Sequence, residues 1–351
     1  IYFPSGQYVL SELLFLNYNQ SVIYGDNATI LLNKDNGAFM AIAQSNIYIR
    51  GLYLKKKFVD NSVAYGINLS KCSRVVVDNV EVSGFGARSG IGFYTCNNFA
   101  MLNNYCHDFS ASKIGPLADG KEQDSLGLEL RSGCSYGIVR NNVVDNIQTK
   151  EPNLSARLMQ TDGIYTGTST NVLIENNTFT RVGEGIDLGK NENIIIRNNV
   201  VVAAALFGIK IGQASKRCLV EKNYFEDSGL ASLHLYVNQY KNGDQTTTIY
   251  RQNVVVDHNK SNWFPNHGDA KSRAAILFSA DDPDKVQECF YNTAEYNVIY
   301  QSDNVTMGVY YGIRESGTAR LNHYRYNYVD PKIPQEYHIS TESAYLPYSA
   351  V

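Results

Sequence analysis

Along most of the chain, apolar and polar residues alternate in short runs, and β-branched or aromatic residues fill the apolar places. A period of two belongs to strands, because successive side chains of a strand point to opposite faces. Nowhere does an apolar pattern with the period of about 3.6 residues persist for the length of a helix, so the sequence predicts an all-β chain.

Two phrases recur. One is a β-branched run interrupted by Asn, as in Arg140-Asn141-Asn142-Val143, Glu175-Asn176-Asn177-Thr178 and Arg197-Asn198-Asn199-Val200. Its final Asn falls at 79, 104, 142, 177, 199, 223, 253, 297 and 327, a basic unit of 22 to 25 residues lengthened by insertions. The other phrase, 13 to 15 residues earlier, is a Gly followed by alternating apolar positions, as in Gly127-Leu128-Glu129-Leu130, Gly163-Ile164-Tyr165-Thr166 and Gly185-Ile186-Asp187-Leu188. Each unit therefore holds two or three short strands joined by tight turns, which is the signature of a solenoid coil. An Asn at a turn tolerates left-handed backbone angles, and its amide can bond to the Asn of the next coil, so the repeat predicts an Asn ladder. Cys72, Cys96 and Cys134 precede their Asn by 7 or 8 residues and are predicted to form an inward column of buried thiols.

Coils of this length, the Gly-apolar strand, the Asn-Asn turn and the opening Ile1-Tyr2-Phe3-Pro4-Ser5-Gly6-Gln7-Tyr8 resemble the right-handed, single-stranded parallel β-helix of the pectate-lyase superfamily. The opening phrase and the uneven, heavily inserted coils are most similar to phage tailspike and capsule-depolymerase domains. The resemblance implies an all-β solenoid over residues 1–330 with long loop insertions. A tail, 331–351, would pack on the helix or on a neighbouring subunit, with Pro331, Pro334 and Pro347 marking a departure from regular coils. It also implies a homotrimer on a virion tail that acts at the bacterial surface on capsule or O-antigen polysaccharide, without a cofactor or metal. No amphipathic helix precedes the first coil, which suggests an excised domain.

Composition removes other classes. With 31 basic and 34 acidic residues the formal charge is −3, and no basic stripe of the phosphate-neutralising kind appears, so nucleic acid is not an expected partner. No run approaches the roughly 18 to 20 apolar residues of a membrane span, and no membrane insertion is expected. The six cysteines form no C-x-x-C pair, which argues against a zinc site.

A solenoid does not fix a function, so the chemistry has to come from side chains. In the Gly phrase the first and third positions after the Gly are apolar and predicted inward, leaving the second to solvent. Coil by coil that second position is Asn68, Gly92, Glu129, Tyr165, Asp187, Lys210 and, in the same register, His234. A second row, just before the Gly, holds Asp162 and Glu184. Glu184, Asp187, Asp162 and Glu129 are the catalytic candidates: crowded carboxylates push one pKa up to give a general acid, and an ionised partner activates water. The resemblance implies that these carboxylates hydrolyse glycosidic bonds, with the retaining and inverting outcomes both open. Tyr165, Lys210 and His234 would line sugar subsites. Insertions near 108–125, 146–160 and 238–273 flank the row and offer Lys113, Lys121, Arg157, Trp263, His267 and Arg273 as further glycan contacts. His107 and Asp108 are expected on opposite faces of a strand and so not paired.

Two other functions fit the same row. A polysaccharide lyase would use Tyr165, Lys210 or His234 as base in a β-elimination, although the row shows no arginine to neutralise a uronate. Asp162, Glu184 and Asp187 would then be candidate calcium ligands. A glycan-binding adhesin would need no catalysis at all.

Overall fold

The computed structural model describes residues 1–32, 37–56, 65–85, 88–111, 125–149, 161–212, 214–238, 245–257, 273–281, 289–303 and 308–346. Every regular element among them is a strand, and no helix is long and apolar enough to cross a membrane. The chain forms two compact units, Ile1–Gly183 and Glu184–Val351.

In the first unit each coil contributes up to three strands, and each strand pairs in parallel with its counterpart on the next coil. Ile67–Ser70, Arg88–Tyr94, Ser125–Arg131 and Asp162–Gly167 form one such ladder, with Ile67, Ile91, Leu128 and Ile164 in register. Ser73–Asp78, Asn97–Leu102, Ser135–Arg140 and Thr170–Glu175 form a second. In the second unit Val200–Gly212, Ala231–Asn238, Ala274–Asp281, Tyr311–Gly317 and Gln335–His338 stack in the same way. Each unit is thus a parallel β-helix. The inward rows are the ones expected from the Gly phrase: Ile67, Ile91, Leu128 and Ile164 in one unit and Ile209, Leu233, Ile276 and Ile313 in the other are fully buried.

The tail departs from expectation. Gln335–His338 and Ala344–Leu346 continue two ladders of the second unit, so regular coils run past 330. Pro331 and Pro334 fall in the turn between strands, where a missing N–H removes no ladder bond. At this end Glu315 occupies the inward row, in register with Phe278, where the other coils place apolar residues. Its buried carboxylate accepts hydrogen bonds from Asn322 Nδ2 (2.7 Å), Tyr324 OH (2.8 Å), Ser343 Oγ (2.8 Å) and the Ser340 N–H (2.5 Å).

The Asn ladder is present in both units. Nδ2 of Asn104 donates to Asn142 Oδ1, and Asn142 to Asn177, each at 2.9 Å. In the second unit the chain of amides runs Asn199, Asn223, Asn253, Asn297, Asn327 at 2.8 to 3.0 Å. Two details correct the expectation. The left-handed residue is the one before the ladder Asn, with φ of 55° at Asn103, 58° at Asn141, 56° at Lys222 and 54° at Tyr296. The ladder Asn itself follows that turn, which aims its amide into the coil. Asn79 takes the left-handed place (φ 52°), and Val80 takes the ladder place, its N–H donating to Asn104 Oδ1 at 3.0 Å. Cys72, Cys96 and Cys134 are fully buried, and the N–H of Cys96 donates to Cys134 Sγ at 3.4 Å, so the thiol column is as predicted.

An amide inside the ladder has four roles to replace. Asn253 donates to Val220 O (3.0 Å) and Asn297 Oδ1 (2.9 Å) and accepts from the backbone and side chain of Asn223 (3.1 and 3.0 Å). Asn253→Leu is expected to orphan these buried groups and to lower stability by about 3 to 5 kcal/mol, read as a reduced urea midpoint at unchanged m.

Candidate functional site

Three strands carry the group of greatest chemical interest, its residues all in the second unit. Glu184 and Asp187 lie on Thr178–Gly189, Lys210 on Val200–Gly212 and His234 on Ala231–Asn238. Glycine lets the first two approach: a Cβ on Gly185 would meet the Gly208 carbonyl oxygen at 2.4 Å. Lys210 Nζ donates to both carboxylate oxygens of Glu184 (2.9 and 2.7 Å) and to Oδ2 of Asp187 (3.1 Å). Carboxylate oxygens of Glu184 and Asp187 lie within 4.8 Å of one another. The cation between these two carboxylates is therefore the protein's own ammonium.

The expectation of a solvent-facing row is corrected here. Glu184 and Asp187 retain only 2% and 4% of their surface, and Lys210 is half-buried. Strand alternation tells which side chains leave the coil interior but not what covers them outside it. Burial pushes the Glu184 carboxyl up to about 7, against the stabilising charge of Lys210 and with the help of the Asp187 charge.

His234, in register with Lys210, is also buried. Its Nε2 shares a 2.9 Å hydrogen bond with Ser279 Oγ, and its ring packs on Phe207 and Tyr236 at centroid distances of 4.5 and 5.3 Å. Burial and the neighbouring Lys210 charge lower its pKa to about 3, so it is a neutral imidazole in ordinary buffers. The row continues through Leu277 to Arg314, which overturns the expectation that it holds no arginine. The long insertion after 238 broke the repeat spacing and hid both Arg314 and Ser279.

The first unit holds a second polar group. Glu129 is fully buried and accepts hydrogen bonds from Ser89 Oγ (2.8 Å) and Tyr94 OH, while Arg131 Nε lies 2.7 Å from its Oε1. Burial and the Glu129 charge push the Tyr94 phenol well above its usual pKa. Tyr165, in register with Glu129, lies beneath the Arg131 guanidinium, 4.7 Å from its ring centroid. Glu129 thus has two hydroxyl donors on Oε2 and the Arg131 guanidinium in ion-pair range of Oε1, unlike the solvated carboxylate expected of it. Arg131 and Tyr94 escaped the sequence analysis because they stand one outward step further along the strand than the row that was followed. Asp162 is fully buried on Asp162–Gly167.

Two smaller expectations also fail. His107 Nδ1 lies 2.8 Å from Asp108 Oδ2, because Asp108 adopts a left-handed backbone (φ 56°) that breaks the strand alternation. Arg273 is 1% exposed, and so is not a rim contact. Arg157 and Trp263, with Lys113, Lys121 and His267, lie outside the described residues.

Known proteins share this architecture. "Probable pectate lyase A" of Aspergillus fumigatus is 26% identical over 209 residues, 57% of this chain and 57% of its own length. The chain thus spans little more than half of that relative. Among solved structures, the Dettilon tailspike protein superposes with a TM-score of 0.74 at 15% identity, over 97% of this chain and 63% of its own. The catalytic domain of GH87 alpha-1,3-glucanase in complex with nigerose gives 0.62 at 12% identity, over 98% and 64%. At these identities the shared property is the fold. The family described as right handed beta helix region matches residues 54–225, 121–260 and 153–330, well over half of the sequence, and the chain, with its stacked parallel coils, belongs to that family.

Proposed function

We propose that the chain is a polysaccharide depolymerase of the tailspike type, which binds bacterial capsule or O-antigen and hydrolyses its glycosidic bonds from a virion tail, as a homotrimer. The glycan-processing names of the relative and the glucanase, and the tailspike fold likeness, support the class. One observation carries the mechanism: a carboxyl poised at about pH 7, in hydrogen-bond contact with Lys210 and close to a second carboxylate. A general acid is most effective when its pKa lies near the working pH. Glu184 is the acid and Asp187 its partner, and Lys210 holds both in place. Asp162 keeps an assisting role from its place in the repeat, whereas Glu129, already engaged by two hydroxyl donors and ion-paired with Arg131, leaves the catalytic set. His234, buried and bonded to Ser279, stands beside Lys210 as a neutral side chain.

Approach of one oxygen from each carboxylate to within 4.8 Å is the observation on which we take the retaining outcome, whose carboxyl groups stand about 5 to 5.5 Å apart, as the working expectation. Early products followed by proton NMR are expected to keep the anomeric configuration of the substrate; inverted products would remove Glu184 and Asp187 as the pair.

Elimination is the second reading, favoured by Arg131 stacked over Tyr165 and by the pectate lyase relative. Lys210, engaged with two carboxylates, and His234, with a pKa of about 3, are poor bases for it. Digestion of a panel of capsular and O-antigen polysaccharides, following new reducing ends and unsaturated-uronate absorbance in parallel, separates the cases. Hydrolysis gives reducing ends alone, elimination gives both signals, and an adhesin gives neither on a glycan that it binds.

A further inference from the structure

The geometry points to a second, non-catalytic glycan site in the first unit: a cleft that takes a neutral sugar residue against the Tyr53 ring, between Lys55 and Glu81. The inference goes beyond the polysaccharide reading above, and rests on it only for the class of ligand. The cleft lies on a third parallel ladder, formed by Gly6–Leu10, Val22–Leu32, Ser45–Lys56 and Glu81–Ser83, whereas Glu129 and Tyr165 belong to another. Ile30, Leu54 and Val82 are in register and buried, so alternation turns the rows on either side of them outward. One outward row is Gln7, Thr29, Tyr53 and Glu81, and the other runs through Leu31, Lys55 and Ser83. These side chains line a cleft of about 330 Å³. Ligand pockets commonly measure about 300 to 1,000 Å³.

Three features suit this cleft to a sugar. Its aromatic wall is fixed: the Tyr53 hydroxyl donates to Asn27 Oδ1 at 3.2 Å, and Asn27 is left-handed (φ 53°) where the register of Val22–Leu32 shifts against Ser45–Lys56. A ring pinned in this way, and 37% exposed, offers an apolar surface to a pyranose face at little entropic cost. The acidic wall is fixed as well. Glu81 Oε1 lies 3.3 Å from His107 Nε2, His107 Nδ1 lies 2.8 Å from Asp108 Oδ2, and the His107 ring stacks on Tyr105 at 4.1 Å. Among the described residues, Glu81 Oε2, Lys55 Nζ and the Gln7 amide have no hydrogen-bond partner, which leaves an acceptor and donors open to a ligand. The third feature is the balance of charge. Lys55 and Glu81 stand on adjacent outward rows yet form no ion pair with one another. Opposite charges that share a cleft without meeting suit a neutral polyhydroxyl ligand: Glu81 accepts from one hydroxyl and Lys55 donates to the next, whereas an ion of either sign would meet a like charge.

Printed arrays of charged and uncharged bacterial capsular and O-antigen polysaccharides, probed with the full chain carrying Glu184→Gln to prevent digestion, test this. Binding to at least one uncharged polysaccharide is expected, weakened about tenfold by Tyr53→Ala and by Lys55→Met. Lys55 is exposed, so Lys55→Met is expected to keep its melting temperature and decides the test where Tyr53→Ala disturbs the sheet. In a chain with Glu184 intact, both substitutions are expected to leave the turnover of short oligosaccharides unchanged, because the site takes no part in the chemistry. No binding to any uncharged polysaccharide, full affinity in Lys55→Met, or a loss of short-oligosaccharide turnover equal to the loss of binding overturns the inference. Binding that both substitutions weaken, in a chain that cleaves no glycan, removes the depolymerase reading and leaves the cleft standing. Cleavage by a chain whose glycan binding neither substitution alters does the reverse.

Discussion

Glu184→Gln is expected to lower kcat on the susceptible polysaccharide by about 10² to 10⁴, the usual worth of a general acid, with KM little changed. Glutamine keeps the shape of the side chain, and its carbonyl still accepts from Lys210. It has no proton to give to a departing sugar oxygen. Asp187→Asn is expected to cost a comparable factor, because it removes the carboxylate that assists the reaction and helps raise the Glu184 pKa. A purely structural pair would behave differently: the variants would lose stability while each folded molecule kept its turnover. The stability side has its own sign. Glu184 has a folded pKa of about 7 against its ordinary value of 4.5, so its protonated form is favoured by folding. That contribution is complete below about pH 4.5 and lost as pH rises through about 7, and in Glu184→Gln the corresponding slope in melting temperature should vanish.

A stability effect as large as that of Asn253→Leu is expected at the other end of the second unit. Glu315→Ala is expected to cost about 3 to 5 kcal/mol, read as a lower urea midpoint, because removal of the carboxylate strands buried donors as well as opening a cavity. Asn322, Tyr324, Ser340 and Ser343 all converge on it, the last two from the segment beyond the final proline turn. Tyr324→Phe removes one donor and keeps the ring, so a loss of about 1 to 2 kcal/mol is expected. A Glu315→Ala protein as stable as the unmutated chain would show that these four bonds do not hold the last coil.

The period of two and the recurring Asn were enough to read the coils, because both follow from a constraint repeated on every turn. Where one coil differs from its neighbours, the repeat misleads. Asn79 carries the right residue one place early, and only the backbone reveals that Val80 stands in the ladder. Asp108 breaks alternation through a single left-handed residue. Glu184, Asp187, Lys210 and His234 were legible as a group, since alternation and coil spacing place them side by side. Their burial was not, because cover over an outward row comes from residues remote in sequence. Arg131 and Tyr94 carried a readable signal in the next outward position, and Ser279 and Arg314 were lost behind an insertion that altered the count.

If Glu184 is the acid whose pKa this site sets, the pH dependence of kcat/KM in the unmutated chain and in Lys210→Met reports that pKa. A falling limb near pH 7 is expected in the first. In Lys210→Met the limb should move to higher pH, because loss of the ammonium removes the charge that favours ionised Glu184. A limb in the same place in both proteins, or no limb across the neutral range, would contradict it.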